Sequence, residues 1–184
     1  MKRLFIYLFL VCMLFIVGCN EALISDFVDT EVAAIVRGEE ITVGDLRFLY
    51  SDDSLIDNLD GTIKAKLAEQ EVTELNLDVS QELQEIKDRI SGKSVNTFDE
   101  DDTDYANDIR AFVDAQAKKF GMVPEEYYEM YVEKTQAMVV YVTAYTEEML
   151  DEPMNDGSEY VEKANMILDK LVEDNEGEIQ IFLK

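Results

Sequence analysis

Histidine and tryptophan are absent from this sequence of 184 residues, and cysteine and proline occur only twice each. Without histidine the chain cannot form a Ser-His-Asp or Cys-His catalytic centre, a histidine metal site or a histidine pH switch. Two cysteines are too few for a thiolate zinc cluster. Basic residues are scarce, with 16 Lys and Arg against 41 Asp and Glu, which gives a net charge of −25. Because binding to nucleic acid needs a basic surface, this charge argues against a nucleic-acid partner.

Apolar residues, by contrast, are frequent enough for a folded domain. They make up 47% of the sequence, an ordinary fraction for a globular protein, and the length fits one domain of usual size. Carboxylates are so numerous that no pair stands out as a general acid and base, since burial defines such a pair and a sequence does not show burial. We therefore expect no enzyme activity and no cofactor.

The first residues have the features of a secretory signal peptide. Lys2 and Arg3 precede an apolar run from Leu4 to Val17, as in the charged and hydrophobic regions of such signals. The fourteen residues of this run would span about 21 Å as a helix. The hydrocarbon core of a bilayer is about 30 Å thick, so a transmembrane anchor is the weaker interpretation.

The apolar run ends in Ile-Val-Gly-Cys at residues 16–19. This sequence resembles the lipobox of bacterial lipoproteins, and the resemblance implies cleavage after Gly18 and a diacylglyceryl lipid on the Cys19 thiol. Residues 1–18 would be the signal peptide, 19–30 the lipidated cysteine and a tether, and 31–184 the domain. Two acyl chains would hold the protein on the extracytoplasmic face of the bacterial cell membrane. The alternative is a plain signal peptide with an incidental cysteine.

The spacing of apolar residues in the rest of the chain predicts mostly helices. The first is expected over about 43–50, capped by Thr42, and further apolar stripes predict four or five more. The last part of the longest helix, at 138–146, is also rich in β-forming residues, so a strand there is the main alternative. Clear strand patterns occur at 32–36 and at 179–183,.

A lone strand cannot satisfy its backbone hydrogen bonds, so we predict that these two segments pair. The expected fold is mainly α, with five to six helices around one core. A small two-stranded sheet would pair the N- and C-terminal strands.

Two segments resemble a known family. Ala-Ile-Val-Arg-Gly-Glu-Glu-Ile-Thr at 34–42 is followed by a capped helix and by a longer helix that ends in Leu-Asn-Leu-Asp-Val-Ser. This order is similar to the N-terminal chaperone module of SurA- and PrsA-type secreted foldases. The segment Phe-Gly-Met-Val-Pro-Glu-Glu-Tyr-Tyr at 120–128 is similar to a helix start in the same family. The resemblance implies a chaperone scaffold that a C-terminal segment returns to complete.

The sequence also departs from that family. Arg37 stands where Asn is common, and Asn76 stands where Gly is common. Nothing in the sequence has the Gly-rich, histidine-containing pattern of the family's parvulin isomerase domain. The resemblance therefore implies the chaperone scaffold without the isomerase.

Tyrosines supply the candidate binding residues. Tyrosine offers apolar area with a polar tip and is common at binding surfaces. Tyr127 and Tyr141 lie outside the main apolar stripe of their helix, so we expect these two to be the more exposed. The alternative is that most of these tyrosines belong to the core. The full set of candidates for polypeptide binding is Tyr127, Tyr128, Tyr131, Tyr141 and Tyr145.

Clustered carboxylates at 99–104 are the one segment that would attract Ca²⁺,. Counted as an EF-hand loop, the segment has Asp104 where Gly is needed and Arg110 where Glu is needed,. We interpret it as a solvated acidic loop and predict no metal site.

Together these features predict a membrane-anchored, chaperone-like lipoprotein. Its partners would be the membrane, through the lipid on Cys19, and unfolded or secreted polypeptides, with no nucleic acid. The alternative is an accessory lipoprotein that binds one dedicated folded partner in the envelope.

Overall fold

A computed structural model describes residues 27–90, 103–150 and 157–183. These ranges contain six α-helices and three short strands, in agreement with the predicted mainly helical fold. The predicted signal peptide, Cys19 and most of the acidic segment at 99–104 lie outside the described residues. In chain order the elements are β1 (Val32–Val36), β2 (Glu39–Thr42), α1 (Val43–Leu49), α2 (Leu55–Glu74), α3 (Ser80–Ile90), α4 (Asp104–Phe120), α5 (Pro124–Met149), α6 (Gly157–Asp174) and β3 (Ile179–Ile181).

The longest helix, α5, is unbroken to Met149, so the strand alternative at 138–146 is wrong. None of the helices within the described ranges is both long enough and apolar enough to span a bilayer.

The three strands form one antiparallel sheet in the order β2-β1-β3. The predicted pairing of the first strand with the last is confirmed, and Ile35 lies opposite Gln180. The sheet has three strands rather than the expected two, because the chain folds back at Arg37 and Gly38 to add β2. Both turn residues have positive φ angles, 47° and 81°, as a two-residue hairpin turn requires.

The main core lies between the sheet and the helices α2, α5 and α6. Its buried side chains come from every one of these elements, so the end of the chain closes the same core as its beginning. The largest fully buried members are Val36, Val43, Leu46, Leu55 and Leu67, and Tyr145, Leu168, Leu171 and Leu183 complete it from the other side.

A second, smaller cluster lies where α4 meets the first turns of α5. Val113, Ala117 and Tyr127 are buried there, and partly buried aromatic rings surround them. The buried Gln116 joins this cluster to the rest of the fold, since its Nε2 donates to the carbonyls of Arg47 (2.7 Å) and Tyr50 (3.1 Å). Gln116 thereby satisfies carbonyl groups at the end of α1 that have no partner within the helix.

The chain joins the domain before β1. Phe27 packs against the main core, and the N–H of Gly44 donates to the carbonyl of Asp29 at 2.8 Å. A side chain at position 44 would approach that carbonyl to 2.9 Å, so only glycine permits this contact. Residues 27–30 therefore contact the domain, which shortens the tether proposed for 19–30 by its last four residues.

Candidate polypeptide-binding groove

A surface depression lies between α5 on one side and β2 with α1 on the other. Its volume is about 340 Å³. Ile41 and Leu49 lie at its base and are almost completely buried. Ala65 from α2 and Ala137 from α5 also line it, so small apolar side chains contribute to its surface.

Two further depressions adjoin the first, one at each side. One lies between α3 and α5, has a volume of about 180 Å³, and shares Ala137 and Tyr141 with the first. The other lies between the hairpin and α2, has a volume of about 260 Å³, and shares Lys66 and Glu69 with it. The three depressions are neighbours, and we call them together the groove.

The groove reaches the free edge of β2. Successive side chains of a strand point to opposite faces of the sheet, yet both Glu40 and Ile41 line the groove. A depression that touches both residues must meet the strand along its edge. β2 has β1 on its other side. The backbone of Glu40 therefore faces the groove and is available to a bound chain.

Charged side chains surround the apolar base. Lys66 Nζ lies 2.7 Å from Glu39 Oε2 and 3.0 Å from Glu69 Oε2. The hydrogen bond from Lys66, followed by one from Gln70, lowers the pKa of Glu39. Burial lowers the pKa of Lys66, but its hydrogen bonds to Glu39 and Glu69 outweigh that effect and raise it. These shifts keep both members of the pair ionised across the physiological pH range.

The other charges of the central depression are Glu40, Asp45 and Lys134, and the Asp45 carboxylate accepts hydrogen bonds from the N–H (3.0 Å) and the hydroxyl (2.6 Å) of Thr42. Glu40 and Asp45 are exposed, and the Lys134 ammonium lies 5.7 Å from the ring centroid of Phe48. With Lys66 and Glu69, the central depression has three carboxylates and two ammonium groups. Lys66 is already paired with Glu39 and Glu69. Glu40 and Asp45 therefore make the wall formed by β2 and α1 acidic.

The five candidate tyrosines fall into three environments. Tyr141 lines the groove where two of its depressions meet. Tyr145 is buried in the main core. Tyr127, Tyr128 and Tyr131 belong to the second cluster, where the Tyr131 ring lies 5.5 Å from that of Phe112.

The expectation that Tyr127 is exposed is wrong. Its side chain is completely buried, and its hydroxyl donates to the carbonyl of Phe48 at 2.8 Å. The rings of Phe48 and Phe120 lie against it at 5.0 and 6.4 Å between centroids. Tyr127 points away from the main apolar stripe of α5 because α4 and α1 provide a second apolar environment on that side.

Sequence reasoning missed most of the groove. Ala65, Ala137, Glu40 and Lys134 were not among the candidates, because two small residues and two charges on separate elements give no local signal. Tyr141 is the candidate that the groove and the sequence have in common. No cluster of three His, Cys, Asp or Glu side chains suited to a metal ion occurs in the part of the chain that the structure describes. No family model matches the chain, and no curated protein or solved structure matches it significantly.

Proposed function

We propose that this protein is a membrane-anchored, extracytoplasmic lipoprotein that binds unfolded or secreted polypeptides in the groove without acting on them chemically. The observation that carries the proposal is the central depression between β2, α1 and α5, a short track with an apolar base and charged margins that adjoining depressions extend. An extended polypeptide is long and narrow, and it presents side chains alternately with backbone groups. A track with an apolar base and a free strand edge can satisfy both.

The edge of β2 would supply the backbone part of this recognition. An extended chain can pair with an exposed sheet edge through main-chain hydrogen bonds while its side chains enter neighbouring pockets. Glu40 offers one N–H and one C=O for this pairing. The apolar base at Ile41, Ala137 and Tyr141 would receive the alternate side chains of the bound segment.

The charge of the protein favours basic clients. The net charge is −25 for the whole sequence and −27 once Lys2 and Arg3 have left with the signal peptide. Such a surface attracts positively charged chains over a distance that shortens as salt is added. Client binding is therefore expected to be strongest for basic unfolded proteins at low ionic strength.

Light scattering tests the proposal directly. Residues 20–184 are mixed with a chemically unfolded basic client and, separately, with an acidic client, and aggregation is followed over time. Suppression at near-stoichiometric ratios, greater for the basic client and weakened by salt, is the expected result. If neither client is protected, the client-binding proposal is wrong.

A pair of variants locates the binding site. Ala137→Gln puts a long polar side chain into the groove, whereas Val139→Gln makes a similar change on an exposed part of the same helix, where Val139 is 56% exposed. We expect Ala137→Gln to weaken client binding about fivefold, roughly 1 kcal/mol, and Val139→Gln to leave it unchanged. Equal losses in both variants would exclude the groove as the site.

A dedicated folded partner is the alternative proposal. Such a partner would favour a compact apolar patch with a polar rim over a track. Crosslinking in intact membranes distinguishes the two, because one partner gives a single discrete product and many clients give a distribution of products.

A further inference from the structure

We propose that the end of the sheet where the tether joins the domain rests on the membrane surface. This tether end is defined by two exposed apolar side chains, Val28 and Phe182. The inference rests on the lipid anchor at Cys19 that forms part of the proposed function. It adds an orientation and a second contact with the bilayer.

The position at which the chain joins the domain is fixed. Phe27 is packed against the main core. The N–H of Val43 donates to the carbonyl of Glu31, and that of Gly44 to the carbonyl of Asp29, both at 2.8 Å. These contacts hold residues 29–31 against the start of α1, so the point at which the tether meets the domain lies beside β1 and α1.

The exposed apolar side chains lie at this same end. The N–H of Phe182 donates to the carbonyl of Ala33 at 2.9 Å, which places Phe182 beside the start of β1. Val28 precedes β1 by four residues and is 57% exposed, Phe182 is 53% exposed, and Ile181 is 44% exposed. Val28 and Phe182 are therefore exposed beside the start of β1, whereas Ile181 points to the opposite face of the sheet from Phe182,.

The opposite end of β1 has a different character. There the Arg37 guanidinium binds the carboxylates of Glu71 and Glu74. Moving ion-paired groups from water into an apolar medium costs free energy, because the charges lose their hydration. The Arg37 end of the sheet is thus ion-paired, whereas the tether end exposes Val28 and Phe182 next to the carboxylates of Asp29 and Glu31.

The tether keeps this end close to the bilayer. Eight residue steps separate Cys19 from Phe27, and they can span at most about 28 Å. A domain of this size has a radius of gyration of about 15 Å, so the tether is shorter than the domain is wide. A short tether also gives the tether end a high effective concentration at the membrane, so that even a weak apolar contact is populated.

Lipid fits this surface better than a second copy of the chain. Two copies, each with a net charge of −25, repel one another. A zwitterionic bilayer carries no such opposing charge, and its interface accepts Phe and Val side chains. The amphipathic boundary of the bilayer is the medium that aromatic and aliphatic groups enter most readily from a peripheral protein.

The absence of tryptophan from the sequence allows a direct test. Phe182→Trp places a single fluorophore at the tether end. Leu75→Trp is the matched control, because Leu75 is 43% exposed and follows Glu74 at the Arg37 end of the sheet. Each lipidated full-length variant is reconstituted into phosphatidylcholine vesicles with and without brominated acyl chains, and tryptophan quenching is compared after the lipid on Cys19 has been verified by mass.

The expected result is strong quenching and a blue-shifted emission for Phe182→Trp, at least threefold more quenching than for Leu75→Trp. Equal quenching of the two variants, or quenching of neither in vesicle-bound protein, would overturn the orientation and leave the anchor in place. Protein that carries no lipid and does not sediment with vesicles would overturn the anchor itself, and the orientation with it. Circular dichroism of both variants establishes that the comparison is made on folded protein.

Discussion

Asn76 ends α2 with a left-handed backbone, at a φ angle of 55°. Its N–H donates to the carbonyl of Thr73, and the N–H of Leu77 donates to that of Val72, which is the Schellman arrangement. We expect Asn76→Ala to lower the free energy of unfolding by about 1 kcal/mol, because Ala lacks the side-chain hydrogen bond to the carbonyl of Glu74 by which Asn76 tolerates the left-handed conformation,. Asn76→Gly should equal or exceed the wild type.

Urea unfolding of the three proteins provides the measurement. Both variants lose the hydrogen bond from the Asn76 side chain to the carbonyl of Glu74. The difference in stability between the Ala and Gly variants therefore measures the cost of the left-handed backbone conformation alone. If the Ala and Gly variants unfold at the same urea concentration, the left-handed geometry does not govern the end of α2.

Tyr127 gives a prediction for alkaline pH. Burial raises the pKa of Tyr127 to about 12, more than its hydrogen bond with Gln116 lowers it. The unfolded chain ionises near pH 10, so between about pH 10 and 12 the folded state retains a proton that the unfolded state has lost. The free energy of unfolding must then fall as the pH rises through this window.

Tyr127→Phe removes this titration. Below pH 10 the variant should be about 1 kcal/mol less stable, since it loses the hydrogen bond to the carbonyl of Phe48,. Between pH 10 and 12 the wild type should lose up to about 2 kcal/mol more than the variant. Urea midpoints of both proteins at pH 8, 10 and 11.5 test this, and parallel curves would refute it.

The sequence predicts single residues well where the cause is local. Thr42 was expected to cap α1, and its Oγ1 accepts from the N–H of Asp45, whose side chain accepts in return from the N–H of Thr42. Gly121 ends α4 at a φ angle of 65°, as a glycine that follows a helix commonly does. Tyr127 was misjudged because its burial depends on α4 and α1, which its own helix does not reveal.

At the scale of elements, β3 provides a test of register. Gln180 lies opposite Ile35. The N–H of Arg37 donates to the carbonyl of Glu178, and the N–H of Phe182 donates to the carbonyl of Ala33. Since every second residue of an antiparallel strand points its backbone groups toward the same partner, the N–H of Gln180 also points toward β1. The alternation of an antiparallel ladder directs the N–H of Ile181 away from β1.

Proline scanning of β3 should therefore give an alternating result. We expect Gln180→Pro to lower the free energy of unfolding by about 1–3 kcal/mol, because Pro has no N–H and leaves a carbonyl of β1 without its donor. Ile181→Pro should cost less than about 1 kcal/mol, since its N–H faces outward. Thermal unfolding measures the loss of stability in each variant. A larger loss at position 181 than at position 180 would mean that the register is shifted by one residue.

The sequence anticipates elements with a clear periodicity and misses those that tertiary contacts create. The helices and the β1–β3 pairing follow from apolar spacing at 3.6 and 2 residues. β2 was missed because Glu39 and Glu40 resemble a turn more than a strand, and pairing with β1 forms it. The groove was missed for a related reason, since the residues that line its central depression come from four separate elements, β2, α1, α2 and α5.

At the scale of the whole molecule, scarce cations join elements that would otherwise repel. Lys64 binds Asp60 on its own helix and Asp169 on α6, both at 2.7 Å. Lys66 joins α2 to β2, and Lys119 joins α4 to Asp52, which lies between α1 and α2. These contacts are short, whereas most of the 41 acidic residues have no cation to match, since only 16 exist.

Salt should therefore stabilise this protein, although salt usually weakens ion pairs. The Debye length falls from about 30 Å at 0.01 M to about 8 Å at 0.15 M. Repulsion among carboxylates spread over the surface is screened in that range, while contacts below 3 Å are screened much less. We expect the free energy of unfolding to rise by about 1 kcal/mol between these two concentrations of sodium chloride, as measured by urea unfolding at pH 7.

Lys64→Met, which removes a cation from between two helices, should make this rise steeper, whereas Lys163→Met, whose partner Glu159 lies on the same helix, should change it little. A stability that falls as salt is added would mean that the junction ion pairs, and not the net charge, dominate the electrostatics of the fold.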